Sequence, residues 1–191
     1  YQGLVFWDTE TYLVPFYTFT DPKTARTLLT YRYRMLPGAR ENARLCQRRG
    51  AKYPWVSADD GQEYTFRRDG WQEHQHGDIA YAVDQYLQVT GDRSFYRDAG
   101  AEVIISTAQY YADRVTWDDA GKRYITENMG GPDEIHTGVT NNAFSNYLIA
   151  WNLRRALQAV EDMKAAGTWR RLRPRLKVSN ADLQLWADIA D

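Results

Sequence analysis

NNAFSNYLIAWNLRRALQAVEDM, residues 141–163, decides the fold class. Ile149, Leu153, Ala156, Val160 and Met163 recur at spacings of four and three, which places them on one stripe of an amphipathic α-helix. Asn141 or Asn142 can cap that helix, which then begins near Ala143. Outward from it, the same period appears again. Residues 94–115 put Ile104, Ala108, Tyr111 and Val115 on one face, and residues 79–89 repeat Ile79, Val83 and Tyr86 before Thr90-Gly91-Asp92 ends the helix. Asp21-Pro22 reads as N-cap and first residue of a helix to Leu36, stopped by Pro37-Gly38. A further helix fits 39–49 with Gly50 as its stop, and Ala181 to Trp186 opens like another after an Asn180 cap.

Between the helices lie segments of other kinds. Residues 4–10 are a short apolar approach ending in Asp8 and Glu10 beside Trp7. A polar loop is expected over 52–70, a small hairpin over 117–125, and a basic, proline-containing connection over 169–177. The arginine run in that connection reads as a solvated link rather than an anion-binding patch. Strand signals are scarce, so the expected fold is all-α, with helices paired as hairpins.

Composition narrows the partners. With 24 basic and 25 acidic residues there is no bulk electrostatic pull toward nucleic acid or acidic membranes, and neither is an expected partner. Cys46 is the one cysteine and cannot close an intrachain disulfide, and no metal-ligand spacing of Cys or His occurs. Apolar runs such as Val103-Ile104-Ile105 are far too short to span a bilayer. Aromatics make up 14% of the chain, with seven Trp and fourteen Tyr. Much of that is core, but a surplus outside the helical stripes suits stacking against sugar rings. The chain begins at Tyr1 without an initiator Met, a basic n-region or an apolar signal segment, and its last helix pattern stops early. An excised piece of a longer protein is the expectation, so the missing signal carries little weight; cytoplasmic localisation is expected.

The chemistry centres on Gly131-Pro132-Asp133-Glu134-Ile135-His136. Gly and Pro break any helix there, so the Glu134 carboxyl rides on a turn just before the capped helix. A carboxyl held between a turn and a helix start is a common way to present a general acid. The plainer alternative is that Asp133 and Glu134 only favour the dipole of the following helix.

Several stretches taken together resemble one family. Phe6 to Glu10, Gly38 to Ala43, Gly50 to Trp55, His74 to Val83 and Gly131 to Asn146 stand in the order and rough spacing of the central catalytic domain of glycoside hydrolase family 65. Its members include the maltose, trehalose, kojibiose and nigerose phosphorylases and related α-glucoside hydrolases. The resemblance implies part of an (α/α)6 barrel, residues 1–191 forming a partial catalytic domain of a longer enzyme. It implies Glu134 as general acid and Trp7 and Asp8 as binders of the glucosyl unit that is transferred. Trp55 in the Tyr-Pro-Trp loop and the loop holding His74 and His76 resemble segments that shape the acceptor side. Asp133 and His136 flank the general acid and complete the expected substrate-binding set. Val56 stands where the family often has Glu, His76 where Thr is common, and Thr140 where Asp is frequent, so the acceptor identity stays open while the glucosyl side looks preserved.

Inverting cleavage of an α-glucoside then needs a protonated Glu134, whose pKa low polarity or a nearby carboxylate can raise, Asp133 and Asp8 being the neighbours to consider. Phosphorolysis giving β-glucose 1-phosphate is the first reading, with inorganic phosphate as co-substrate and no cofactor. Inverting hydrolysis is the near alternative, and a non-catalytic carbohydrate-binding helical domain is the alternative from another class. A small carbohydrate is the expected partner, and a homodimer of the longer enzyme is allowed. Each residue keeps a plainer role: Trp7 as core, Asp8 as a helix-entry cap, Trp55 packed beneath its loop, the histidines as structural hydrogen-bond donors. Part of a toroid would also leave helix faces bare, and the stripe of Ile149, Leu153, Ala156 and Val160 is expected to be exposed, with the isolated chain marginally stable and inactive.

Overall fold

The computed structural model describes residues 2–63 and 72–191 and is all-α, with short two-stranded pieces at two places. Strand β1 (Val5–Phe6) leads into a π-helical turn (Thr9–Leu13) and α1 (Val14–Thr20). Then come α2 (Pro22–Arg34), α3 (Leu36–Leu45), β2 (Val56–Ser57) and α4 (Gln75–Thr90). A helical turn, α5 (Arg93–Phe95), passes through a second π-helical turn (Tyr96–Gly100) into α6 (Ala101–Arg114). The hairpin of β3 (Thr116–Asp118) and β4 (Arg123–Ile125) is followed by a long loop, α7 (Ala143–Ala165), α8 (Trp169–Leu176) and α9 (Asn180–Ala190).

Helix α6 is the hub. Every residue from Ala101 to Ala112 is buried, as expected of a helix covered on all sides, and α4, α7 and α9 pack on it. Its polar residues find partners. Glu102 accepts from Arg40 at 2.6 Å and from Arg175, while Gln109 donates to the Leu176 carbonyl at 3.2 Å. Those contacts tie α3 and α8 to the hub. The loop after α3 lies directly on it: Gly50 has φ +76°, and a Cβ there would stand 2.3 Å from the Ser106 carbonyl oxygen.

A second anchor fixes the entry segment. Glu10 and Arg32 are both buried and form a two-pronged ion pair, with Nε and Nη2 of Arg32 at 2.7 and 2.6 Å from the carboxylate. Arg32 also donates to the Phe6 carbonyl at 3.4 Å, and the Tyr53 hydroxyl donates to the Arg32 carbonyl at 2.8 Å. Residues 5–10 and 53 are thereby bound to α2.

Several expectations change. Pro37 and Gly38 do not separate two helices; they form the first turn of α3, which spans Leu36–Leu45 rather than 39–49. Proline is tolerated there because its missing N–H would be unpaired in any helix's first turn. Residues 169–177 are not a connection but helix α8, carrying Pro174 in its second turn. The cap of α9 is Ser179, whose side chain accepts from the Asp182 N–H at 3.1 Å while Asp182 accepts from the Ser179 N–H at 2.7 Å. The helical segment 9–20 has no counterpart in the sequence reading. The stripe of Ile149, Leu153, Ala156 and Val160 is buried against α6 and α9, not exposed. The large apolar side chains left open are elsewhere, including Tyr12, Phe16 and Phe19 along the π-turn and α1, and Tyr147 on α7. The polar loop expected over 52–70 is described to Glu63; residues 64–70 lie outside the described residues.

Candidate active site

The site forms where the amino ends of α4 and α7 meet the segment around β1. β1 and β2 pair antiparallel, Phe6 opposite Val56, and this places Trp7 beside the Tyr53-Pro54-Trp55 loop. The Phe6 ring meets Trp55 edge-on at 4.6 Å and Trp7 at 5.4 Å. Val56 is buried in this small sheet, where an apolar side chain fits and a charged one would lose its hydration. The backbone N–H of Trp55 donates to Glu63 at 2.8 Å, which fixes the loop's course.

His74 and His76 sit on a helix start, not on a loop. His74 is the N-cap of α4 and His76 lies in its first turn. The His74 ring meets the Trp7 indole edge-on at 4.7 Å and the Phe144 ring of α7 at 6.0 Å. The helix ends come this close because residue 77 is glycine: a Cβ there would stand 2.3 Å from Leu148 Cγ. His76 is fully buried between Tyr110 and Tyr111, ring centroids 4.9 and 5.6 Å away, with no hydrogen-bond partner for either nitrogen among the described residues. Burial, then the nearby Lys52 charge, pushes its pKa well below the ordinary histidine value.

Glu134 stands at the tip of the loop between β4 and α7. The base of that loop is closed by Met129 and Val139, whose backbone groups exchange hydrogen bonds of 3.0 and 2.9 Å. Gln72 donates to the Gly131 carbonyl at 3.2 Å and Asn141 joins Thr126 through 2.8 and 3.1 Å bonds. Asn142 caps α7, accepting from the Ser145 N–H at 3.0 Å. Within this frame Glu134 is exposed and has φ +60°, a left-handed conformation that costs a non-glycine residue about 1–2 kcal/mol. Strain of this kind persists where surrounding structure enforces it, and functional sites are common places for it.

The neighbouring carboxylates divide their tasks. Asp133 turns to His136, whose Nδ1 lies 2.5 Å away; that bond and the N–H groups of Ile135 and His136 hold the Asp133 pKa below its ordinary value. Asp8, half-buried at the start of the π-helical turn, has its pKa raised, first by burial and then by the charge of Glu134, while His74 opposes the rise. The Glu134 charge therefore acts on the carboxylate after Trp7, far away in sequence. Trp7 meets His74, and the charges of His74 and Glu134 act on Asp8; Trp55 joins Trp7 through Phe6; His136 and Asp133 pair on the exposed flank; His76 is set among tyrosines.

The profile of the glycosyl hydrolase family 65 central catalytic domain matches residues 1–191. This chain belongs to that family. Among its family 65 relatives, the kojibiose phosphorylase of Caldanaerobacter subterraneus subsp. tengcongensis is 42% identical over 177 residues, covering 86% of this chain and 23% of the relative. The maltose phosphorylase of Bacillus subtilis is 34% identical over 191 residues, 99% of this chain and 25% of its own length. The chain thus spans about a quarter of the length of these relatives. A solved structure assigned as a kojibiose phosphorylase, from the human microbiome, matches with a TM-score of 0.88 over 98% of this chain and 28% of its own, at 22% identity. That likeness establishes the fold as part of an (α/α)6 barrel.

Two features beside the candidate site escaped the sequence reading. Phe144 is half-exposed against His74, yet in sequence it is only the second residue of a helix. Asp78, on the turn above His74, places Oδ2 2.6 Å from His74 Nδ1. The i,i+4 spacing of His74 and Asp78 was the signal that could have found it.

Proposed function

We propose that residues 1–191 form part of the catalytic barrel of a longer enzyme that cleaves α-glucosides by inverting phosphorolysis. The observation that carries this reading is the family 65 match over residues 1–191, supported by the Trp7–His74 contact and by the Glu134 charge acting on Asp8. Glu134 is the general acid, giving its proton to the departing glycosidic oxygen. Asp8 and Trp7 bind the glucosyl unit: the carboxylate takes its hydroxyls and the indole covers its apolar face. Asp133 positions the loop through His136. Trp55 borders the acceptor, and His76 shapes the wall behind it without touching the sugar. Inorganic phosphate is the nucleophile and the co-substrate; no cofactor is needed, because phosphate brings its own negative charge to the anomeric carbon. The phosphorylase names of the relatives support this choice of nucleophile.

Proton NMR of the longer enzyme's reaction tests it. α-Glucoside breakdown should require inorganic phosphate, and β-glucose 1-phosphate should appear first, since a single displacement on an α-linked sugar puts the incoming oxygen on the opposite face. Breakdown without phosphate that yields β-glucose would make the enzyme an inverting hydrolase. An α-configured first product would overturn the role given to Glu134.

A further inference from the structure

His74 is buried to 1% exposure, yet its Nε2 has no hydrogen-bond partner among the described residues. A buried polar atom left unpaired is costly, so a partner supplied by a ligand is the natural completion. The other ring nitrogen is not free: Nδ1 lies 2.6 Å from Oδ2 of Asp78. A carboxylate can only accept, so the hydrogen sits on Nδ1, and in the neutral ring Nε2 is left with a bare lone pair. The ring itself is held at the Trp7 indole, 4.7 Å away between ring centroids. The other histidines differ. Nδ1 of His136 is also paired with a carboxylate, but its ring is exposed to water, and His76 is enclosed by tyrosines.

We propose that Asp78 is a positioning residue: it fixes His74 as the Nδ1–H tautomer, so that Nε2 accepts a hydroxyl of the glucosyl unit held beside Asp8. The identity of that ligand rests on the reading of the site as a glucosyl subsite. The tautomer does not. Asp78 touches no substrate; it acts through the ring, much as a carboxylate behind a metal-bound histidine sets which nitrogen faces outward.

Neutron diffraction of the deuterated longer enzyme at mildly alkaline pH reads the tautomer without turnover. A deuteron on Nδ1 and none on Nε2 is expected; a deuteron on Nε2 overturns the proposal whatever the enzyme's reaction is. Kinetics read the consequence. Asp78→Asn offers N–H donors as well as an acceptor and so mixes the tautomers. It should lower kcat/KM by roughly 10- to 100-fold, equally for a disaccharide and for α-glucosyl fluoride, because the transferred sugar is common to both. His74→Gln, whose amide reaches the position of Nε2, should retain about tenfold more activity than His74→Asn, whose amide reaches only that of Nδ1. Unchanged kcat/KM in Asp78→Asn, or equal losses in His74→Gln and His74→Asn, would sink the role even with the tautomer as expected. Failure of phosphate to be required would instead refute phosphorolysis and leave this proposal standing.

Discussion

Replacing Glu134 by Gln in the longer enzyme changes two things that can be measured separately. The side chain keeps its shape and its place on the strained turn at φ +60°, so the loop closed by Met129 and Val139 should be undisturbed. What is lost is the transferable proton. General acid catalysis supplies roughly 10²–10⁴-fold, or about 2.7–5.5 kcal/mol of barrier, and kcat for a disaccharide should fall by that amount. α-Glucosyl fluoride departs with little need of a proton, so its loss should stay below about tenfold.

The second effect concerns charge. Glu134 raises the Asp8 pKa, after burial the largest cause of that rise. In Glu134→Gln the like charge is gone, so the Asp8 pKa should move down toward its ordinary value. In the proposed role Asp8 binds the sugar as a carboxylate, so activity should be lost as pH falls through its pKa in the free enzyme. The acid limb of kcat/KM for the fluoride substrate should therefore shift to lower pH in the variant. Equal losses on both substrates would deny Glu134 the role of acid. An acid limb that stays in place, or moves up, would deny that Asp8 and Glu134 share one site.

Glu134→Gly should unfold at or above the temperature of Glu134→Ala, because only glycine relieves the left-handed backbone, by about 1–2 kcal/mol against roughly 0.5–1 kcal/mol of added chain entropy; a lower midpoint for glycine would contradict the turn geometry. Glu10→Gln should destabilise by about 3–5 kcal/mol in denaturant unfolding, because it strands Arg32 as a buried charge, and a loss under 1 kcal/mol, about the worth of an exposed pair, would mean that the pair is solvated. Gly77→Ala should cost about 1–3 kcal/mol by driving a methyl into Leu148, and adding Leu148→Ala should recover part of it; simple additivity in thermal unfolding would refute the close approach. His76 keeps a depressed pKa when folded, so below about pH 6.5 the unfolded chain binds the extra proton and stability falls as pH drops. His76→Thr should flatten that fall in urea titrations across the acid range, and an unchanged slope would show that His76 is hydrated.

The helices were legible because burial imposes its period on the residues that meet the core. The stripe from Ile149 to Met163 predicted α7, and the Asn141-Asn142 pair its start, of which Asn142 is the cap, since both signals are local. What failed was punctuation. Pro37 and Pro174 look like breaks, but a proline costs little in a first turn, and α8 keeps Trp169, Leu172 and Leu176 on one buried side despite Pro174. The entry segment failed for a different reason. Thr9 to Thr20 carries Tyr12, Leu13, Phe16 and Phe19 facing outward, so its apolar pattern does not follow the core of this chain. Nothing within the sequence could show which surface that face is meant for.

The site was legible as a set of residue types, but not as a set of distances. Asp133 was the natural neighbour to suspect for Glu134, being adjacent in the chain, yet a side chain at i−1 of a tight turn points elsewhere, and this one closes on His136 three residues on. The Glu134 charge acts on Asp8 across two segments fixed separately: the Glu10–Arg32 pair pins one to α2, while Gln72 and the Thr126–Asn141 bonds hold the other loop in place. That arrangement also explains how one carboxylate can influence the other without a strong bond between them. Asp8 is partly removed from water, where charge is felt over longer distances, while Glu134 is exposed. Binding of the glucosyl unit would remove water from both at once and bring the two like charges into a less polar setting. The energetically easier outcome is for one of them to take up a proton. With Glu134 in the role of acid proposed above, the sugar itself would complete the acid that cleaves it.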